Sequence, residues 1–226
     1  MIDLGYLWNL YGPAFIAGTQ TTLFITFVAV ALGIGIGLPL ALIRLYGPRP
    51  LALLSTGYIE VFRGTPLLVQ LFVVYFGLPS YGIVLDPIVA AIVTLGMNSG
   101  AYQAELYRGA ILSVESGQFT AARAVGMTHG QALRYVVLPQ ALRAVIPSWS
   151  NELIGVMKGT AVVFLISVED LMGQAKIIFG RTFDPIQAYS VVAVVYLVLI
   201  GATVLLLGLF ERRLRLPVLD VGTDRR

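Results

Sequence analysis

Four long intervals of this chain hold no charged side chain: Asp3 to Arg44, Arg63 to Asp86, Asp86 to Glu105, and Asp184 to Glu211. A helix needs about 20 mainly apolar residues to cross the roughly 30 Å hydrocarbon layer of a bilayer. Each interval can hold one such crossing, and a soluble core has no use for so many. Only 12% of the 226 residues are charged and 58% are hydrophobic, whereas soluble domains carry about 25% charge. The chain reads as an all-α polytopic membrane protein.

Five spans are expected, at about Thr22–Ile43, Leu54–Leu78, Pro87–Tyr107, Ile146–Val168 and Ala188–Leu209. Together they form a single transmembrane domain over residues 1–226. The fourth span must contain Lys158, because the charge-free stretch from Gly159 to Val168 is too short to cross alone. In the first span, Gly33, Gly35 and Gly37 offer a small-residue face for close helix contact.

Lysine and arginine placement sets the orientation. With the amino terminus outside, the cytoplasmic segments hold Arg44 and Arg49, then Arg108, Arg123, Arg134 and Arg143, then Arg212, Arg213, Arg215, Arg225 and Arg226. The outer segments hold only Lys176 and Arg181. The inverted topology would break the rule. Because these arginines cluster at span ends, with no stripe of interleaved aromatics, the net charge of +3 does not indicate nucleic acid binding. With no cysteine and a single histidine, His129, the sequence offers no thiolate or multi-histidine metal site. No basic segment precedes the first apolar run, so a cleavable signal peptide is not expected.

The longest polar segment, residues 108–143, is expected in the cytoplasm. Within it, Gly117–Gly130 reads as a short helix ended by glycine, with Phe119, Ala122 and Val125 on a narrow apolar face. Pro139 is expected to interrupt any helix running through the later part. A soluble partner is the expected contact for so large a loop, and a surface helix lying on the membrane is the alternative.

The same segment carries Thr120-Ala121-Ala122, three residues, Gly126, nine residues, then Val136-Val137-Leu138-Pro139. This resembles the EAA loop of ABC importer permeases, in which Glu-Ala-Ala, glycine and Ile-x-Leu-Pro keep the same spacing. Thr120 stands where that family has glutamate. Further motifs in the same order narrow the resemblance to the polar amino acid uptake branch: Gly18-Thr19-Gln20-Thr21-Thr22-Leu23, Tyr58 to Leu68, Ala101-Tyr102 with Glu105 and Arg108-Gly109, and Gly117-Gln118. The resemblance implies a non-catalytic permease subunit in a bacterial inner membrane. It also implies a coupling helix, carried by Gln118, Thr120, Ala121, Ala122, Gly126, Leu138 and Pro139, that docks on an ATPase subunit. The implied partners are an ABC ATPase dimer, an extracytoplasmic amino-acid-binding protein, a second permease (identical or not) and membrane lipid. No cofactor is expected on this chain. Lys158-Gly159-Thr160 is not a Walker A loop, which needs Gly-x-x-x-x-Gly-Lys-Ser/Thr after a strand, so ATP is hydrolysed by the partner.

Candidate substrate contacts are Lys158, Arg63, Glu152, Asn98 and Gln103. A cation in mid-membrane is costly unless hydrated or paired. Lys158 therefore either faces a polar cavity and holds a substrate carboxylate, or pairs with Glu152. The resemblance implies aspartate where Gly159 stands. Glu60 and Arg63 can neutralise one another three residues apart, and Asn98, Ser99 and Gln103 can line a passage or bond between helices. His129 reads as a solvated loop residue. A secondary transporter or channel is the competing class, but no clear internal repeat supports it. An intramembrane hydrolase would need a base inside the membrane, and the only histidine is in the loop.

Overall fold

The computed structural model describes residues 4–114 and 116–214, and every regular element among them is a helix. Helix α1 runs from Leu4 to Tyr46, 43 residues or roughly 64 Å at 1.5 Å per residue. It begins well before the Thr22 start expected from sequence. The threonines around that expected start are absorbed by the helix. Thr19 donates to the Phe15 carbonyl at 2.7 Å, and Thr21 donates to that of Ala17 at 3.2 Å. A hydroxyl bonded back to the preceding turn needs no water.

The second expected span is not straight. Helix α2 (Arg49–Gly64) ends at Thr65, whose extended backbone (φ −114°, ψ 144°) precedes Pro66. A residue before proline is pushed out of the helical region. Helix α3 (Leu67–Phe72) then leaves at 106° to α2 and continues through a π turn and a 3₁₀ turn to Tyr81. Helix α4 (Pro87–Ser113) is capped by Asp86, whose side chain accepts from the Ile88 amide.

The loop is more broken than its sequence suggests. Helix α5 (Ser116–Ala124) stops before Gly126, which has φ +89°. Thr128 then opens α6 (His129–Ala132) with a reciprocal capping box to Gln131, so Gly130 lies inside a helix instead of ending one. A π turn leads to α7 (Leu138–Ala144), where Pro139 occupies the first turn. The Leu138 amide reaches back to the Leu133 carbonyl, so the wide π turn just before Pro139 breaks the α pattern, as proline would, while the helical path runs on. Helix α8 (Ile146–Gly159) passes into a 3₁₀ segment, Thr160–Ile166. Helix α9 (Leu171–Thr182), absent from the sequence expectation, is capped by Asp170 and packs Leu171, Ala175 and Ile178 into a cluster with Phe15 and Val191. Helix α10 runs from Pro185 to Leu214.

By length and apolarity, Asn9–Tyr46, Ile146–Ile166 and Pro185–Glu211 are three candidate membrane crossings, and the bent α2–α3 pair makes a fourth. The 27-residue α4 overlaps the third expected span but is more polar, with Thr94, Ser99 and Gln103 buried. Its central position explains that polarity, since α1, α2, α3 and α8 all pack on it.

Glycine brings α1 and α4 together. A Cβ on Gly33 would lie 2.5 Å from Gln103 Nε2, and one on Gly37 would lie 2.8 Å from the Gly100 carbonyl. Gly96 and Gly100 return the contact, against Leu32 and Ile36 of α1. Gly35 faces open space, as the 3.6-residue period requires of a position between 33 and 37. Small residues that let backbones approach in this way are the usual device of membrane helix pairs.

Candidate functional site

The break between α2 and α3 frees carbonyls at the level of the middle of α4. Two amides take them up. Gln70 Nε2 donates to the carbonyls of Phe62 (2.8 Å) and Thr65 (3.0 Å). Asn98 Nδ2 donates to Phe62 O (3.1 Å) and Gln70 Oε1 (3.0 Å). Irregular backbone at membrane depth survives only where protein groups or cavity water satisfy it. Asn98 thus fixes the bend, and it also lines the cavity beside it.

That cavity has a volume of about 230 Å³ and is lined by Leu67, Leu95, Asn98, Tyr102, Glu152, Gly155, Val156 and Gly159. Glu152 is its only acid, and Ser99 of α4 donates a 2.8 Å hydrogen bond to that carboxylate. On α8, positions 152, 155 and 159 fall on one face, by the i, i+3, i+7 rule. The result is an apolar wall with one acid, one amide and one phenol, a pattern typical of small-molecule sites.

The five candidate contacts do not converge. Glu152 and Asn98 line the cavity; Arg63, Gln103 and Lys158 do not. Arg63 lies over the ring of Tyr102, 5.4 Å from its centroid, just outside. Gln103 is fully buried. It donates to Val30 O (3.2 Å) and accepts from Trp149 Nε1 (3.1 Å), a joint between α1, α4 and α8. Lys158 is exposed on α8, and among the described residues it forms no ion pair with Glu152. The Glu60–Arg63 pair is also absent there, because Glu60 turns to Arg44 at 4.0 Å. Arg44 bonds Glu105 as well, and Glu105 holds Arg108 at 2.8 Å, which ties the ends of α1 and α4.

Sequence reasoning missed Tyr102, Gly155 and Gln70 as parts of this region. Gln70 carried a signal, as a lone amide inside an apolar run just after Thr65-Pro66.

In the loop, Ala122 is buried and Phe119 half-buried, while Gln118, Thr120 and Ala121 are exposed. Val125 departs from the expected apolar face, being 76% exposed. His129 is exposed, as expected, but it lies on α6 and not in a loop. Its ring meets Phe119 edge-on at 5.0 Å and Tyr46 of α1 at 5.6 Å. Leu138 and Pro139 begin α7, and buried Val137 beside them packs with Ile111 and Ala141. Arg215, Arg225 and Arg226 lie outside the described residues.

A bundle of apolar helices around a broken span, with a small apolar-walled cavity that holds one acid, is the layout of a polytopic membrane protein. Residues 33–216 match the family of binding-protein-dependent transport system inner membrane components. The chain belongs to that family: it is the membrane-spanning permease subunit of an ABC importer, placed in the inner membrane, and ATP is hydrolysed by a separate subunit. It is 37% identical over 206 residues to the glutamine transport system permease protein GlnP of Escherichia coli, covering 90% of this chain and 94% of that one. To the nopaline transport system permease protein NocM of Agrobacterium fabrum it is 35% identical over 195 residues, covering 82% and 81%. Among solved structures, an amino acid ABC transporter determined with histidines superimposes with a TM-score of 0.89 at 42% identity, covering 94% of this chain and 99% of that one.

Proposed function

We propose that this permease moves polar amino acids, and that the cavity between α4 and α8 belongs to the translocation path. The observation that carries this reading is the Glu152 carboxylate, held by Ser99 in a cavity beside the middle of α4. An acid there has a function by default, since burying it among apolar helices is costly. It suits the ammonium of a zwitterion. The relatives named for glutamine and nopaline transport support the substrate class.

Five crossings with the amino terminus outside and the carboxyl terminus inside are the topology favoured by the arginines. Lys158 lies about 18 Å along α8 from Ile146, on an exposed face shared with Asn151 and Gly155. Lipid does not suit that face. A second permease across a hydrated path does, and Lys158 then meets the substrate carboxylate there, with Arg63 as a further donor. Residues 118–126 and Leu138–Pro139 form the surface that docks on the ATPase dimer, and an extracytoplasmic binding protein delivers the substrate.

ATP-driven uptake of labelled amino acids into proteoliposomes, with purified ATPase and binding protein, tests this. Glu152→Gln should reduce uptake and Lys158→Met abolish it, with assembly intact in both. Uptake that persists without ATP or the ATPase would favour the secondary-transporter reading instead.

A further inference from the structure

Gly155 and Gly159 sit one turn apart in the wall of the cavity. Glycine in a helix interior is unfavourable, so its presence wants a local reason. The usual ones are a left-handed backbone or the close approach of another chain segment. Neither applies at Gly155. It does not have positive φ, and a Cβ there would meet nothing within 4 Å. Gly155 borders the cavity with open space at its Cβ position, so a side chain there would take up volume beside Glu152. At Gly159 a Cβ would lie 3.2 Å from Leu67 Cδ2 and 3.3 Å from Leu95 Cδ2, two other residues of the same wall. A side chain there would be wedged between the apolar lining and the ligand space.

We infer that Gly155 and Gly159 set the size of the side chain this permease admits, keeping the volume beside Glu152 empty for a substrate larger than glycine or alanine. The inference rests on the cavity being the substrate path. At about 230 Å³, the space is below the roughly 300–1,000 Å³ of drug-sized sites. Each added carbon therefore removes an appreciable share of it. Glu152 lies three residues before Gly155 on the same face, so a ligand ammonium held at Glu152 would project its side chain along the two glycines.

The test measures binding of glycine, L-alanine, L-glutamine and L-arginine to the purified permease–ATPase complex in nanodiscs. The wild type, Gly155→Ala, Gly155→Leu and Glu152→Gln are compared, with assembly checked by size-exclusion chromatography. Gly155→Ala should weaken glutamine and arginine binding roughly tenfold, the scale of overpacking one methyl group. Gly155→Leu should abolish their binding, while glycine and alanine lose far less. Gly159→Ala, which only asks Leu67 and Leu95 to give slightly, should shift the preference the same way and guards against misassembly of the leucine variant. Equal loss for all four amino acids, or unchanged glutamine binding in Gly155→Leu, would overturn the size rule while leaving the path intact. If Glu152→Gln binds all four as the wild type does, or the wild type binds none, the path assignment fails and the size rule with it.

Discussion

Ser99 on α4 donates a 2.8 Å hydrogen bond to the carboxylate of Glu152 on α8, so the central helix holds the acid that faces the cavity. Ser99 is itself held, accepting from Gln103 Nε2 at 3.0 Å. Removing the hydroxyl leaves the acid in place but free to rotate. A hydrogen bond to a charged group contributes about 1.5–3 kcal/mol. Ser99→Ala should therefore raise the KM for uptake about tenfold or more. Complex yield should not change, because Ser99 is small and alanine fits its place. An unaltered KM would show that Glu152 needs no positioning.

Gly126 marks the turn between the exposed helix α5 and the capped start of α6. Its φ of +89° is a conformation that β-branched residues avoid. A Cβ would meet nothing within 4 Å, so the penalty is in the backbone and not in packing. Gly126→Val should reorient α5 relative to α6, leaving membrane insertion intact but breaking ATP-coupled uptake. Assaying uptake and ATPase activity on the same preparation checks this. Full coupled uptake would remove the loop from the coupling role.

What could be read in advance divides along physical lines. Charge-free intervals are a property of composition, so the membrane class and most helices were legible without neighbours. The Thr65–Pro66 break was written in the sequence but was outweighed by the apolarity around it. Partner choice was not legible. Lys158 and Glu152 lie six residues apart, on different faces of one helix, yet the sequence alone left their pairing open, since a partner can also come from a neighbouring helix or copy. Arg44 reaches Glu60 and Glu105 across helix boundaries that only the fold defines. Helix α9 carried its signal in Asp170 and the i, i+4, i+7 spacing of Leu171, Ala175 and Ile178. It is too short to register as a span.

Topology can be checked with single cysteines in the cysteine-free chain. Tyr81, at 83% exposure, lies in the turn between α3 and α4, and Arg49 starts α2. With the amino terminus outside, Tyr81→Cys should react with an impermeant thiol reagent in intact cells, and Arg49→Cys only after lysis. Labelling at position 49 in intact cells would reverse the orientation.

The glycine seam predicts where assembly is fragile. A valine at Gly33 would drive its Cβ into Gln103, which is fully buried and bonded to Trp149. Overpacking of this kind costs about 1–3 kcal/mol. Gly35→Val, facing open space two residues on, should be nearly neutral. Thermal unfolding of the two purified variants should therefore separate clearly, with only the Gly33 variant less stable than the wild type.

The last prediction concerns Asp170, which caps α9 between the fourth and fifth expected spans. Its Oδ1 accepts from the Gly173 amide at 2.8 Å, while Oδ2 is buried without a hydrogen-bond partner among the described residues. Burial raises its pKa from 3.8 to about 6, against the lowering effect of the backbone amides of Gly173 and Met172. The folded protein therefore holds this proton over a range where the unfolded chain has already released it. Stability from Asp170 is fully present below the unfolded value of 3.8, falls as pH rises toward about 6, and is flat above that. The loss across the window is about 3 kcal/mol. Asparagine caps helices about as well as aspartate and carries no charge. Asp170→Asn should remove this part of the pH dependence and leave the complex more stable than the wild type at neutral pH. Thermal unfolding of both proteins from about pH 4 to about pH 7 measures the difference. Parallel curves would mean that the Asp170 carboxylate finds in the assembled complex the partner that Oδ2 lacks in the single chain.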